Sequence, residues 1–146
     1  MPPGPSDAII SIRPKYAEAI LCGEKTVELR RRIPAISVGT RLWIYTTLPV
    51  GAITGTAVVH QIRRGTPGEI WREFRAHAGV NRSEFRNYFG HAIEAVALIL
   101  VQPKRIAPVH IEDLRQRWSG FHPPQVIARL TASETKSLKA MGKKAA

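Results

Sequence analysis

Apolar and polar positions change their period several times along this chain, and each change marks an element. Residues 8–13 (AIISIR) alternate weakly and are rich in Ile, which predicts a first strand with Ile10 and Ile12 turned inward. Pro14 then opens a short helix, because the first turn has no use for the missing N–H. Ala17, Ile20 and Leu21 form its apolar stripe, and Gly23 is placed to end it in a left-handed conformation. Residues 25–32 (KTVELRRR) return to a period of two. Val27 and Leu29 are expected to face the core of a half-buried strand, with Thr26, Glu28, Arg30 and Arg32 on its other face. Residues 41–47 and 52–62 read as two more strands, joined through Pro49 and Gly51.

The next elements carry their own start signals. Thr66-Pro67-Gly68-Glu69 and Asn81-Arg82-Ser83-Glu84 each put a capping side chain three residues before a Glu, the pattern of a capping box. Ile70, Trp71 and Phe74 supply the first helix with an apolar face, and Phe85, Tyr88 and Phe89 supply the second, which Gly90 should end. Residues 94–101 (EAVALILV) are almost continuously apolar, as a central strand covered on both faces would be. A Pro-punctuated segment, a short helix at 111–117, a short strand at 126–130 and a last helix capped by Thr131 complete the order. Strands joined mostly by short links argue against a doubly wound sheet. The expected class is α+β: a small, twisted, mostly antiparallel β-barrel with helices plugging its ends.

A chain of 146 residues suits one domain. We expect a flexible tail at 1–7, the domain proper at 8–131, and a C-terminal helix with a basic tail at 132–146. Charge adds a functional pointer, since 22 Lys+Arg against 11 Asp+Glu leave a formal net charge of +11. Such an excess suits a polyanion, because each neutralised phosphate releases condensed counterions. The single Cys22 excludes an internal disulfide, the five His residues lie far apart, and no Cys/His spacing suggests a metal site. No Gly-rich phosphate loop appears, so no cofactor is expected. Without a leader-like or membrane-spanning apolar run, a cytoplasmic location is expected.

The most informative segment is Gly23-Glu24-Lys25-Thr26-Val27-Glu28-Leu29-Arg30. Strand parity puts Glu28 and Arg30 on one face, and Lys25 joins them if the chain is still turning there. Two cations flanking a carboxylate would suit a phosphate together with a base edge. A solvated strand with an exposed ion pair would show the same spacing.

The run from Ser11-Ile12-Arg13-Pro14-Lys15-Tyr16-Ala17 through Gly23-Glu24-Lys25-Thr26-Val27-Glu28-Leu29-Arg30-Arg31-Arg32 resembles the signature of the ASCH domain, of the PUA-like superfamily. The likeness continues through Ile44-Tyr45-Thr46-Thr47-Leu48-Pro49 and Gly55, and closes with Phe121-His122-Pro123-Pro124-Gln125. The resemblance implies a small β-barrel whose cleft meets RNA, sometimes at a modified base. It places Gly23, Lys25, Glu28 and Arg30 on the family's motif, and Tyr45 and Thr46 near the same cleft, where an aromatic would stack on a base and a hydroxyl would bond it.

Some ASCH-like proteins are enzymes, either amidohydrolases acting on acylated cytidines or proteins that cut RNA. The amidohydrolases carry a Thr three residues after the Lys, and Glu28 stands there instead, which argues against that chemistry. Their further catalytic acid finds no match in these helices. The leading expectation is therefore a module that binds RNA, with DNA as the other polyanion the charge suits. Its expected contacts are Lys15, Lys25, Glu28, Arg30, Arg31, Arg32, Tyr45 and Thr46. The alternative is an enzyme acting on RNA or a modified nucleoside, with Lys25 and Glu28 as its acid–base pair. Arg63, Arg64, Arg82 and Arg86 would extend the basic rim, while Lys136, Lys139, Lys143 and Lys144 would add non-specific attraction.

Overall fold

Five apolar runs of strand type and one three-residue segment pair into a single sheet. In the computed structural model, which describes residues 6–144, these are β1 (Ala8–Ile12), β2 (Val27–Arg30), β3 (Arg41–Thr46), β4 (Ala52–Gly65), β5 (Ala95–His110) and β6 (Ile127–Arg129). Their order across the sheet is β2-β5-β4-β3-β1-β6. The β1–β3 pairing is parallel and the other four are antiparallel, the mixed α+β architecture the sequence predicts. Five helices complete it: α1 (Pro14–Leu21), α2 (Pro67–Phe74), α3 (Arg82–Phe89), α4 (Ile111–Arg117) and α5 (Ala132–Lys144).

Alternation divides the apolar residues into a core inside the curl of the sheet and two clusters outside it. Inside, Ile10, Ile12, Leu42, Ile44, Val96 and Leu98 pack on Ala17, Ile20 and Leu21 of α1, the stripe that the helical spacing marks. On the opposite face Val27, Leu29, Ala95 and Ala97 bury Ile70, Phe85 and Phe89 of α2 and α3. Farther along that outer face, Ile9, Trp43, Tyr45, Ile53 and Val109 bury Leu114 of α4 and Leu138 of α5. Closely packed aliphatic side chains on both sides explain why β5 reads as a continuous apolar run.

Local chemistry sets the boundaries. Thr66 and Asn81 form the expected capping boxes with Glu69 and Glu84, and Thr131 and Glu134 exchange the same pair of bonds at α5. The Pro-punctuated segment after Val101 is strand, not loop: β5 runs on to His110 against an equally extended β4. It does so by bulging, with Gln102 at φ 53° where the register shifts between Thr56 and Val58. Gly55 is required by close approach, because a Cβ there would stand 2.6 Å from the Lys104 carbonyl oxygen and overlap Leu21.

β2 differs from expectation in being buried on both faces. It is also shorter at both ends, running only from Val27 to Arg30; the Thr26 carbonyl still accepts from Leu100 N on β5, while the amides of Thr26 and Val27 turn to the His77 carbonyl. Residues 1–5 of the expected tail, and Ala145–Ala146 at the other end, lie outside the described residues. Asp7 is already anchored: its carbonyl accepts from Leu130 N, and its carboxylate accepts from Trp43 Nε1 at 2.8 Å. Among the described residues no helix is long and apolar enough to cross a membrane.

Candidate functional site

Strand parity turns Glu28 and Arg30 into the curl, because they stand opposite Leu98 and Val96, whose side chains point there. Lys25 precedes the strand. The turn after α1, with Gly23 at φ 87°, brings it alongside. The three side chains meet. Glu28 Oε2 accepts from Arg30 Nε at 3.0 Å and Nη2 at 2.7 Å, while Glu28 Oε1 lies 3.4 Å from Lys25 Nζ. Arg30 Nη2 also donates to the Ser11 carbonyl on β1 at 2.8 Å.

That last bond spans the molecule's curl. β2 and β1 stand four places apart in the sheet, yet Arg30 joins them directly, so the sheet closes on itself at this point through a side chain. Ser11 is available because β6 pairs only with residues 8–10 of β1 and leaves the next carbonyl on that edge without a strand partner. Lys25 closes the seam from below. Its Nζ donates to the Ala78 carbonyl and sits 5.3 Å from the centre of the Tyr16 ring. Only 2% of Lys25 is exposed, and that burial pushes its ammonium below the usual lysine range while Glu28 pulls it back up.

Both oxygens of Glu28 are thus engaged, and Lys25 is surrounded by a carbonyl, a carboxylate and a ring. The loop that covers Lys25 is fitted to it. Gly79, at φ 64°, lies so close that a Cβ would stand 3.1 Å from three carbons of the lysine side chain. Arg30 keeps one edge open: Nη1 has no partner among the described residues, whereas Nε and Nη2 are both bonded.

The other expected residues divide into two groups. Lys15 and Tyr16 both bond Glu84 Oε2, Lys15 at 3.1 Å, which ties α1 to α3 beside the seam. The Asn81 amide, Tyr16 hydroxyl and Lys15 hold the Glu84 carboxyl down at about 2, and its acceptance of the Tyr16 proton pushes that phenol up to about 12. Arg31 lies 5.1 Å from the centre of the Tyr88 ring, and Arg32 is exposed. Tyr45 and Thr46 lie on β3 in register with Ser11 and Ile12 of β1. Tyr45 is buried in the cluster beneath α4 and α5, and Thr46 Oγ1 is 2.7 Å from Thr54 Oγ1. No hydrogen bond or ion pair among the described residues links either to Lys25, Glu28 or Arg30.

Two features escaped the sequence reading. Tyr16 and Glu84, 68 residues apart, carry no pairing signal in the chain. A cavity of about 730 Å³ lies on the outer face of the sheet, between the bulged β4–β5 ribbon and α5. Among the described residues no three His, Cys, Asp or Glu side chains gather as a metal would require.

Comparison with known proteins agrees with the fold and the motif. The family model described as "ASCH domain" matches residues 10–110. A curated relative, the "ASCH domain-containing ribonuclease" of Zymomonas mobilis, is 35% identical over 136 residues, covering 93% of this chain and 92% of that one. The crystal structure of ASCH from Zymomonas mobilis superposes with a TM-score of 0.89 at 35% identity, covering 92% of this chain and 94% of that one. Protein Atu2648 from Agrobacterium tumefaciens shares the fold alone, with a TM-score of 0.59 at 12% identity over 94% of this chain and 92% of that one. The motif around Lys25, the curled six-stranded sheet and a match across 101 positions place this chain in the ASCH domain family.

Proposed function

We propose that this chain binds RNA through its basic surface, with Arg30, Arg31, Arg32 and Lys15 meeting the backbone at the mouth of the curl. The observation that carries this reading is the 35% identity, over nearly the full length of both chains, to a protein named as a ribonuclease. The net charge of +11 supports it, as does the donor edge that Arg30 leaves open. Lys25 and Glu28 act here as positioning residues: they hold the Arg30 guanidinium in place and are themselves shielded from the ligand. Tyr45 is accounted for by packing beneath α4 and α5 and Thr46 by its bond to Thr54 on β4, so neither is given a contact.

A second reading, cleavage of the bound RNA, is favoured by the name of that relative. Lys25 and Glu28 would serve as the acid–base pair, and burial, which disfavours the charged ammonium, shifts the Lys25 pKa in the direction that eases proton release. Incubating end-labelled single-stranded RNA with the protein, at several salt concentrations and with a DNA competitor, separates the two. Salt-dependent retention of intact RNA supports binding alone. Fragments made by the wild type and not by Glu28→Gln support cleavage, and a result with neither retention nor fragments at low salt contradicts both.

A further inference from the structure

We infer that the cavity between the β4–β5 ribbon and α5 is a second docking site for the sugar–phosphate backbone of RNA, separate from the seam; this rests on the RNA-binding reading above. Five of its thirteen lining residues are cationic and none is acidic. Arg41 comes from β3, Lys104 and Arg105 from β5, and Lys139 and Lys143 from α5. No run in the sequence announces them, because they converge from three elements more than 30 positions apart.

The helix is what assembles the group. Leu138 is fully buried against Trp43 and Leu114, which fixes the rotation of α5 on the sheet. Lys139 and Lys143, one turn apart, then fall on the side that faces the bulged ribbon. Lys104 is carried to the opposite wall by the β5 bulge. The backbone there is strained, since Gln102 holds a left-handed φ of 53° without being a glycine, and Gln102 itself lines the cavity. Strain kept at the lip of a concave basic surface is what a binding groove would retain.

These cations are also available. Among the described residues Arg105 bonds Glu18, while Arg41, Lys104, Lys139 and Lys143 make no salt bridge. Like charges gathered without a counter-charge repel one another, and a polyanion relieves that repulsion while releasing its own counterions. The floor favours backbone contact over base reading. Trp43 is 4% exposed with its indole nitrogen committed to Asp7, so it offers no face for stacking. Lys139 also lines a smaller cavity with Lys136, where Asp7, whose carboxylate is held by Trp43 Nε1, puts a negative charge on the wall and sets the limit of the positive surface.

The test compares three proteins in binding a labelled single-stranded RNA of about 20 nucleotides across a salt series. They are the wild type, the groove pair Lys104→Gln with Lys139→Gln, and the control pair Arg72→Gln with Arg75→Gln, which removes equal charge from exposed positions on and just after α2. Melting of each is followed in parallel. The groove pair should melt like the wild type, bind about tenfold more weakly near 0.15 M salt, and lower the slope of log K against log salt by about 1.4, from two lost contacts to a single strand. The control pair should keep the wild-type slope. A groove pair that binds like the wild type overturns the groove and leaves RNA binding intact. Equal losses in both pairs reduce the effect to net charge and overturn it as well. A wild type that retains no RNA overturns the RNA-binding reading and the groove with it.

Discussion

The seam inside the curl and the groove beneath α5 are both rich in cations, yet they treat them in opposite ways. At the seam Lys25 and Arg30 are drawn into the curl around one carboxylate, and every donor nitrogen except Arg30 Nη1 is engaged by protein. In the groove four cations face a cavity with no described carboxylate partner. A buried ion set is costly to assemble and costlier to break, because each member compensates the desolvation of the others. An exposed, unpaired set adds little to the fold but attracts anions in a salt-dependent way. Position in a sequence motif and availability to a ligand are therefore separate properties here.

Three perturbations on the seam side sharpen that contrast, beginning with the most damaging. Glu28→Ala would leave Lys25 and Arg30 facing each other without a counter-charge at a buried site. It should cost about 3–5 kcal/mol in denaturant unfolding. A loss under about 1 kcal/mol, the worth of an exposed pair, would show that the seam behaves like surface.

Next comes Gly79→Ala, which forces a side chain into a left-handed conformation and against the Lys25 stem. Its expected cost is about 1–2 kcal/mol. Gly120→Ala shares the positive φ but has nothing within 4 Å of its Cβ position, and should cost less. Equal losses would mean that the Lys25 contact contributes nothing.

The smallest effect is a pH dependence. Fold contacts lower the Glu84 carboxyl from 4.5 to about 2, so the unfolded chain binds the extra proton first as pH falls. The stabilisation is complete above the ordinary carboxylate range and is lost as pH falls toward about 2. Glu84→Gln should flatten stability against pH in that window. An unchanged profile would remove Glu84 as its source.

Much of this fold is legible in the sequence because its signals are local. The stripe Ala17, Ile20 and Leu21, the caps at Thr66 and Asn81, and the apolar run of β5 each depend on neighbours within a few positions. The meeting of Lys25, Glu28 and Arg30 was legible for the same reason. Their burial was not: period-two alternation gives the face a residue occupies, and says nothing of whether that face later folds inward. The closure by Arg30 onto Ser11 depends on curl, which arises from all the strands together. The β5 extension past Pro103 was hidden because its strand partner, the far half of β4, compensates for weak local propensity. Lys139 and Lys143 read as a basic tail until the burial of Leu138 sets the helix rotation.

Lys25 carries the central claim, since its motif suggests a ligand contact and its surroundings make it part of the fold. Lys25→Met keeps the stem that packs under Gly79 and removes the charge, and its unfolding free energy and RNA salt slope can be measured on one preparation. The account predicts altered stability, with the folded protein keeping the wild-type slope. A slope lower by about 0.7, at unchanged stability, would make Lys25 a phosphate contact and contradict it.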